Sequence, residues 1–267
     1  MGTTVFTKPV VVVTGAANGI GWATSRQFAQ QGWTVALLDL RAEEVVQRAN
    51  TLGEGHMAWA CDVTDQAGVE ATVGEVFQRW GQVDALVNNA GVGDQALPTL
   101  DQSIDSFDRV LSVHLRGCFL MTQHVLRHMH RQARDARGNR GAVVNLSSIA
   151  GLGGIPSRNA YSAAKAGVLG MTRALASEWA RSGIRVNAVA PGYVATAMVS
   201  ALAQKGAIDG QAVATRTPMG RMADPAEIAE AIVFLASPAS SYITGACLPV
   251  DGGWSAFGAP ELSLGPL

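Results

Sequence analysis

A chain of 267 residues, 48% of them hydrophobic and only 15% charged, can bury a sizeable core, and its formal net charge of −1 argues against nucleic acid as the main partner. The three cysteines, Cys61, Cys118 and Cys247, stand far apart with no C-x-x-C pair, which excludes a disulfide framework and a zinc signature and suits a reducing compartment. Met1 to Pro9 carries no long apolar run and no segment of about 20 apolar residues follows, so the expectation is a cytoplasmic protein without signal peptide, membrane span or metal.

Val10 to Val13 is a β-branched run without alternation, the pattern of a parallel strand covered on both faces. A glycine-bearing turn leads into a helix from Ile20 to about Gln31, closed by Gly32. A strand over Thr34–Leu38 ends at Asp39. A charged helix over Ala42–Leu52 is followed by a strand at His56–Ala60, a helix over Gln66–Trp80 and a strand at Ala85–Val87. One long helix is expected from Ile104 to Arg134, then a strand at Ala142–Leu146, a helix from near Tyr161 to about Arg181, and a strand over Ile184–Val189. Asp224-Pro225-Ala226-Glu227 opens a further helix with a capping box and a proline at its first position, and Ala246–Val250 supplies a seventh strand. Alternating strands and helices imply right-handed crossovers and an α/β doubly wound fold of Rossmann type. One domain is expected over residues 1–267, a single seven-stranded parallel sheet flanked by helices on both faces.

Thr14-Gly15-Ala16-Ala17-Asn18-Gly19-Ile20-Gly21 lies between the first strand and helix, where glycines let the backbone approach a pyrophosphate and the helix N-terminus favours anions. The spacing is G-x-x-x-G-x-G rather than the commoner G-x-G-x-x-G. Asp39, eighteen residues beyond Gly21, ends the second strand. A carboxylate there accepts bonds from a ribose and repels a 2′-phosphate, which favours NAD over NADP, although nearby Arg41 could offset the repulsion. Tyr161 and Lys165, four residues apart on a helix, share a face about 6 Å apart along the axis. Moving a phenol from about 10 to about 7 takes roughly 4 kcal/mol, which an ammonium and a second positive charge could supply.

Thr14–Gly21, Asn88–Gly91, Ser148, Tyr161 with Lys165, and Pro191-Gly192 with Thr196 occur in the order and spacing that resembles the short-chain dehydrogenase/reductase family, from about residue 10 to Trp254. The resemblance implies that Tyr161 is the general acid/base, Ser148 holds the substrate oxygen, and Lys165 lowers the Tyr161 pKa and holds the nicotinamide ribose. Gly15, Asn18, Gly19, Ile20, Gly21 and Asp39 would bind the adenosine and pyrophosphate half. Asp62 and Val63 would border the adenine, and Asn89, Ala90 and Gly91 the middle of the cofactor. Pro191, Gly192, Val194 and Thr196 would surround the nicotinamide. His114 stands where relatives usually carry an asparagine of a proton relay. Its imidazole could join the relay or be merely packed.

Residues 193–223 form an insertion too long for an ordinary connection, with apolar Met198, Leu202 and Met219. With Gly93–Leu97 and Gly151–Ile155 it is expected to wall a pocket for a neutral, fairly apolar alcohol or ketone. The tail, residues 255–267, contains Phe257, Leu262 and Leu267. The basic stretch of Arg127, His128, His130, Arg131, Arg134, Arg137 and Arg140 reads as a solvated helix face rather than a nucleic-acid site. Relatives imply a homotetramer, or a dimer, built through the helices after strands four and five. The reading is an NAD-dependent secondary-alcohol dehydrogenase, with a 3-ketoacyl reductase or a silent dinucleotide-binding scaffold as rivals.

Overall fold

In the computed structural model, which describes residues 8–197, 199 and 208–258, the β-branched runs pair side by side. The strands are β1 (Val10–Thr14), β2 (Thr34–Asp39), β3 (Met57–Ala60), β4 (Ala85–Asn88), β5 (Gly141–Leu146), β6 (Ile184–Pro191) and β7 (Cys247–Val250). They form one sheet in the order β3-β2-β1-β4-β5-β6-β7, and every pair is parallel. Because side chains alternate across a strand, Val10, Val12, Ala36 and Leu38 feed one core, and Val11, Val13, Val35 and Leu37 the other. Helices α3 (Gln66–Trp80), α5 (Cys118–Met129) and α7 (Asn159–Trp179) cover the first face through Val69, Val73, Met121, Val125 and Leu175. Helices α1 (Gly19–Gln30) and α2 (Ala42–Leu52) cover the second through Phe28, Val45 and Ala49. Helix α9 (Pro225–Ala236) adds Ile228 and Ile232 to that face.

The strand order reverses between β1 and β4. The chain moves outward from β1 to β3 and then returns to lie on the other side of β1, which opens a crevice at the carboxyl ends of β1 and β4.

The expected long helix is not continuous. Helix α4 (Ile104–Leu111) passes into a π turn over Ser112–Gly117 before α5 begins, and α5 ends at Met129 rather than Arg134. The Asp135 carboxylate accepts from the backbone of Arg137 and Asn139, while Arg134 donates to the carbonyls of Gly138 and Arg181. That turn competes with further helix. The basic stretch therefore divides. Arg127 and Arg131 are exposed, whereas Arg134, Arg137 and Arg140 clamp loop carbonyls. Two short helices carry no clear sequence signal, α6 (Ile149–Gly153) and α8 (Gly210–Arg216). The capping box at Asp224 and Glu227 forms as expected.

Buried Arg185 on β6 closes the far end of α9. Its guanidinium donates to the carbonyls of Leu235 (2.8 Å), Ala236 (3.2 Å) and Ser237 (3.0 Å), and to the Ser240 hydroxyl (2.8 Å). Arg185→Met removes this charged donor, leaving the Leu235 and Ser237 carbonyls only Ser240 as a donor, and should lower stability by roughly 3 kcal/mol, read as a fall in the urea midpoint. An unchanged midpoint would show that the carbonyls are satisfied without it.

Among the described residues, no helix is long and apolar enough to cross a membrane and no cluster of His, Cys, Asp and Glu could hold a metal ion.

Candidate active site

The crevice is bounded by two turns stitched to each other. The Thr14 hydroxyl accepts from the backbone of Asn89 and Ala90, both at 3.0 Å, and the Asn89 amide donates to the carbonyls of Thr14 (2.9 Å) and Gly15 (3.1 Å). Gly15 bends with φ 65°, and the first turn of α1 folds back so closely that a Cβ on Gly21 would overlap the Gly15 carbonyl. Bare backbone thus lines a cradle at a helix N-terminus, the shape and polarity of a pyrophosphate site. Asn18 is the N-cap residue of α1, Ile20 is partly buried against the core, and the Thr196 methyl lies 3.4 Å from where a Cβ on Gly19 would stand.

Asp39, 8% exposed, ends β2 beside this cradle. One carboxylate oxygen accepts from the Ala17 backbone at 3.0 Å and the other from Arg41 Nε at 3.2 Å. Arg41 also pairs with Glu44 at 2.7 Å. Its positive charge is therefore shared between two carboxylates. A buried carboxylate beside the bare cradle fits the adenosine end of a nicotinamide dinucleotide. Asp62 is exposed at the end of β3, accepting from the Thr64 backbone and hydroxyl, while Val63 is buried under Gly117 of the π turn.

Ser148, Tyr161 and Lys165 converge at the carboxyl end of β5. Ser148 caps α6 by accepting from the Ala150 backbone at 3.1 Å, and it is also hydrogen-bonded to the Tyr161 phenol. A Cβ on Gly151 would lie 2.6 Å from the Lys165 backbone, so only glycine lets α6 cross α7 closely enough to hold Ser148 against Tyr161. Lys165 is 5% exposed; its ammonium donates to the Leu146 carbonyl at 2.6 Å and lies 5.6 Å from the centre of the Tyr161 ring.

Burial dominates the electrostatics. It pushes the Lys165 ammonium down to about 8. It also pushes the Tyr161 phenol above its ordinary value, against the opposing pull of the Ser148 hydrogen bond and of Arg158. The sequence-based expectation of a phenol lowered by Lys165 is thus not met by the chain alone, because desolvation of a buried phenolate outweighs these attractions.

His114 occupies the π turn. Its Nε2 lies 3.1 Å from the Val92 nitrogen and 2.9 Å from the Val92 oxygen, and its ring meets the Tyr161 ring edge-on at 5.2 Å. Burial, then the charge of Lys165, hold its pKa down to about 3. The ring is neutral at physiological pH. Gly91 presses against it, since a Cβ there would lie 2.5 Å from His114 Cε1.

Pro191 ends β6, and Gly192 passes against Asp251. Val194 is buried and bridges to Ala223, which pins the base of the insertion. Met198 and Leu202, like Leu262 and Leu267 of the tail, lie outside the described residues. Sequence reasoning missed Asp94, which accepts from the Tyr161 backbone at 3.1 Å and so holds the first turn of α7, and Ser162, which accepts from the Ile155 backbone at 3.1 Å. The signal for Asp94 is an acid in an otherwise apolar loop. The segments Gly93–Leu97 and Gly151–Ile155 therefore both meet α7 beside Tyr161.

A family model described as Enoyl-(Acyl carrier protein) reductase matches residues 15–255. The chain is 44% identical over 254 residues to cis-4-hydroxycyclohexanecarboxylate dehydrogenase of Sinomonas cyclohexanicum, covering 94% of this chain and 98% of that one. It is 43% identical over 251 residues to an uncharacterized short-chain type dehydrogenase/reductase of Sinorhizobium fredii, covering 94% of this chain but only 44% of that longer protein. A solved 3-ketoacyl-(acyl-carrier-protein) reductase from Brucella melitensis complexed with NADH superimposes with a TM-score of 0.85 at 32% identity, covering 92% of this chain and 98% of that one. The structure of ElxO with NADP bound gives 0.86 at 28% identity, covering 94% and 100%. With the family match running through both the glycine cradle and the Ser148–Tyr161–Lys165 cluster, the chain belongs to the short-chain dehydrogenase/reductase family of Rossmann-fold oxidoreductases that use a nicotinamide dinucleotide.

Proposed function

We propose that this oxidoreductase interconverts a secondary alcohol and a ketone with NAD(H), and that Ser148, Tyr161 and Lys165 carry the chemistry. The observation that supports this most is the convergence of those three side chains beside the Gly15–Gly21 cradle. NAD+ bound there supplies the hydride acceptor and a positive charge beside the phenol. Gly15, Gly19 and Gly21 admit the pyrophosphate, Asp39 binds the adenosine ribose, and Asp62 and Val63 border the adenine. Asn89, Ala90 and Gly91 flank the middle of the cofactor, and Pro191, Gly192, Val194 and Thr196 the nicotinamide. The Ser148 hydroxyl orients the substrate oxygen, Tyr161 exchanges its proton, and Lys165 helps hold the ribose. His114, neutral and tied to Val92, positions the Gly91–Val92 turn and the Tyr161 ring and does not carry protons as an imidazolium.

Two further assignments follow. The substrate is a neutral, fairly apolar alcohol, because the segments around Tyr161 are mostly apolar. The protein is a homo-oligomer, a tetramer by family likeness. An open groove of about 460 Å3 on α4, the π turn, α5 and α7, lined by Leu111, Leu115, Phe119 and Met171 together with Asp108, Ser112 and Arg116, supports a self-association surface there.

Alcohol oxidation should be screened with NAD+ and NADP+ over meso-2,3-butanediol, D-threitol, cis-4-hydroxycyclohexanecarboxylate and 3-hydroxyacyl thioesters. Turnover of one or more of the first three with NAD+ supports an NAD-dependent alcohol dehydrogenase, and a preference for D-threitol or for the carboxylate over meso-2,3-butanediol would overturn the neutral, fairly apolar substrate. Turnover of the thioesters alone favours an acyl reductase, and silence throughout favours a binding scaffold. Asp39→Asn keeps an acceptor for the Ala17 amide while removing the charge. It should cut kcat/KM for NAD+ about tenfold and raise that for NADP+, since a charge-assisted bond is about twice as strong as a neutral one. Unaltered preference would reject the assigned role of Asp39.

A further inference from the structure

The insertion is fastened to the rest of the protein by a cluster of rings that the reaction itself does not use. Its base is closed by the Val194–Ala223 bridge, with Ala195 donating to the Ala223 carbonyl and Ala223 to the Tyr193 carbonyl, both at 2.9 Å. Beyond that base, helix α8 is only seven residues long, and Val213 is its one buried residue. A helix so short has little stability of its own, so its position depends on what its end touches. That end is Arg216. Its guanidinium lies over the Trp254 ring at 4.9 Å and over the Phe257 ring at 4.7 Å, and it donates to the Phe257 carbonyl at 2.9 Å. Trp254 also packs against Tyr193 at 5.2 Å. The same indole thus touches the first residue of the insertion and the last residue of its helix. A few residues on, the Met219 backbone donates to the Gly252 carbonyl at 3.1 Å. No acid pairs with Arg216 among the described residues, and its Nη1 is buried without a partner. The contact therefore depends on a planar cation held between ring faces, which lysine does not reproduce.

We propose that Trp254 and Arg216 are positioning residues that clasp α8 to the base of the insertion at the carboxyl end of β6 and set how tightly the substrate is held. Thr196, at the base of the insertion, has its methyl 3.4 Å from where a Cβ on Gly19 would stand, and the Val194–Ala223 bridge holds that base without the clasp, so the cofactor contacts stay in place when α8 loosens. The assignment of the insertion as a substrate wall rests on the function proposed above. Without the clasp, α8 must be ordered at the moment of binding. That ordering cost falls on the bound substrate and the transition state alike, so it raises KM and leaves kcat nearly unchanged.

The test compares the full chain with Trp254→Ala, Trp254→Phe and Arg216→Lys. With NAD+ and the panel alcohol turned over fastest, Trp254→Ala and Arg216→Lys should raise the alcohol KM about tenfold, with kcat and NADH affinity within about threefold of wild type. Trp254→Phe, which keeps a ring, should restore most of the loss. Hydrogen exchange over residues 209–222 should speed up in the first two variants while β1 to β6 keep their protection. If Trp254→Ala does not fold, Arg216→Lys decides by the same two readouts. An unchanged KM together with unchanged exchange overturns the proposal, as does a loss confined to kcat. If no panel alcohol is oxidised, the functional reading fails, but hydrogen exchange still shows whether the clasp holds α8.

Discussion

Replacing Tyr161 by phenylalanine is expected to lower kcat by about a thousandfold or more while NADH binding stays near wild type, because a positioned general acid/base contributes roughly 10²–10⁴. The substitution keeps the ring that meets His114 edge-on at 5.2 Å and removes only the hydroxyl that bonds Ser148. Packing is preserved, so the lost turnover reports chemistry. The pH dependence has opposite signs in the two directions. Oxidation needs the phenolate to accept the alcohol proton, so its kcat rises with pH until the phenol is ionised. Ketone reduction needs the phenol, so its kcat falls over the same range. In the chain alone burial holds that phenol above its ordinary value, and the Lys165 ammonium, held at about 8, is lost before the phenol ionises. A phenolate near neutrality therefore requires positive charge beyond what the chain provides, and NAD+ brings it when bound. The pH profile of kcat for oxidation should accordingly turn at a lower pH than the Tyr161 titration of the cofactor-free protein. Wild-type turnover by Tyr161→Phe would sink the mechanism. Coincident titrations would sink the electrostatic part alone.

Gly21→Ala is expected to weaken NADH binding by about a hundredfold or more, close to 2.7 kcal/mol. Its Cβ would overlap the Gly15 carbonyl and lie 2.5 Å from the Asn89 amide nitrogen, both of which shape the cradle. The first turn of α1 must move away from the β1 turn, and the backbone donors move with it. Overpacking of this kind also costs about 1–3 kcal/mol of stability, which a urea titration reads separately from fluorescence titration of NADH. Gly74→Ala is the control. No atom outside its own helix lies within 4 Å of its Cβ position, and alanine in a helix interior should stabilise slightly without touching cofactor affinity. Wild-type NADH affinity in Gly21→Ala would show that the cofactor does not use this cradle.

Most of the architecture was legible because its signals are local. The valine run of β1 is buried on both faces, as the absence of alternation required. Asp224, Pro225 and Glu227 formed the capped start of α9 from three neighbouring residues. The elements that escaped are those held by contacts distant in sequence. Helix α6 is a five-residue, glycine-rich segment kept in shape by the Ser148 cap and by its crossing against Lys165. The π turn at Ser112–Gly117 contains no proline and a glycine only at its last position, so the pattern reads as unbroken helix, yet there His114 turns inward to Val92 and Tyr161.

The sequence by itself determined the parallel sheet, the glycine turn after β1, the carboxylate at the end of β2 and the shared helical face of Tyr161 and Lys165. Each follows from residue type and a backbone period of two or 3.6. Tertiary structure alone decided the charge states and the partners. Burial set Lys165 at about 8 and His114 at about 3, and raised Tyr161. Proximity in space placed Trp254 between Tyr193 and Arg216. Desolvation and contact depend on what surrounds a group in three dimensions, and neither is carried by the spacing of residues along the chain.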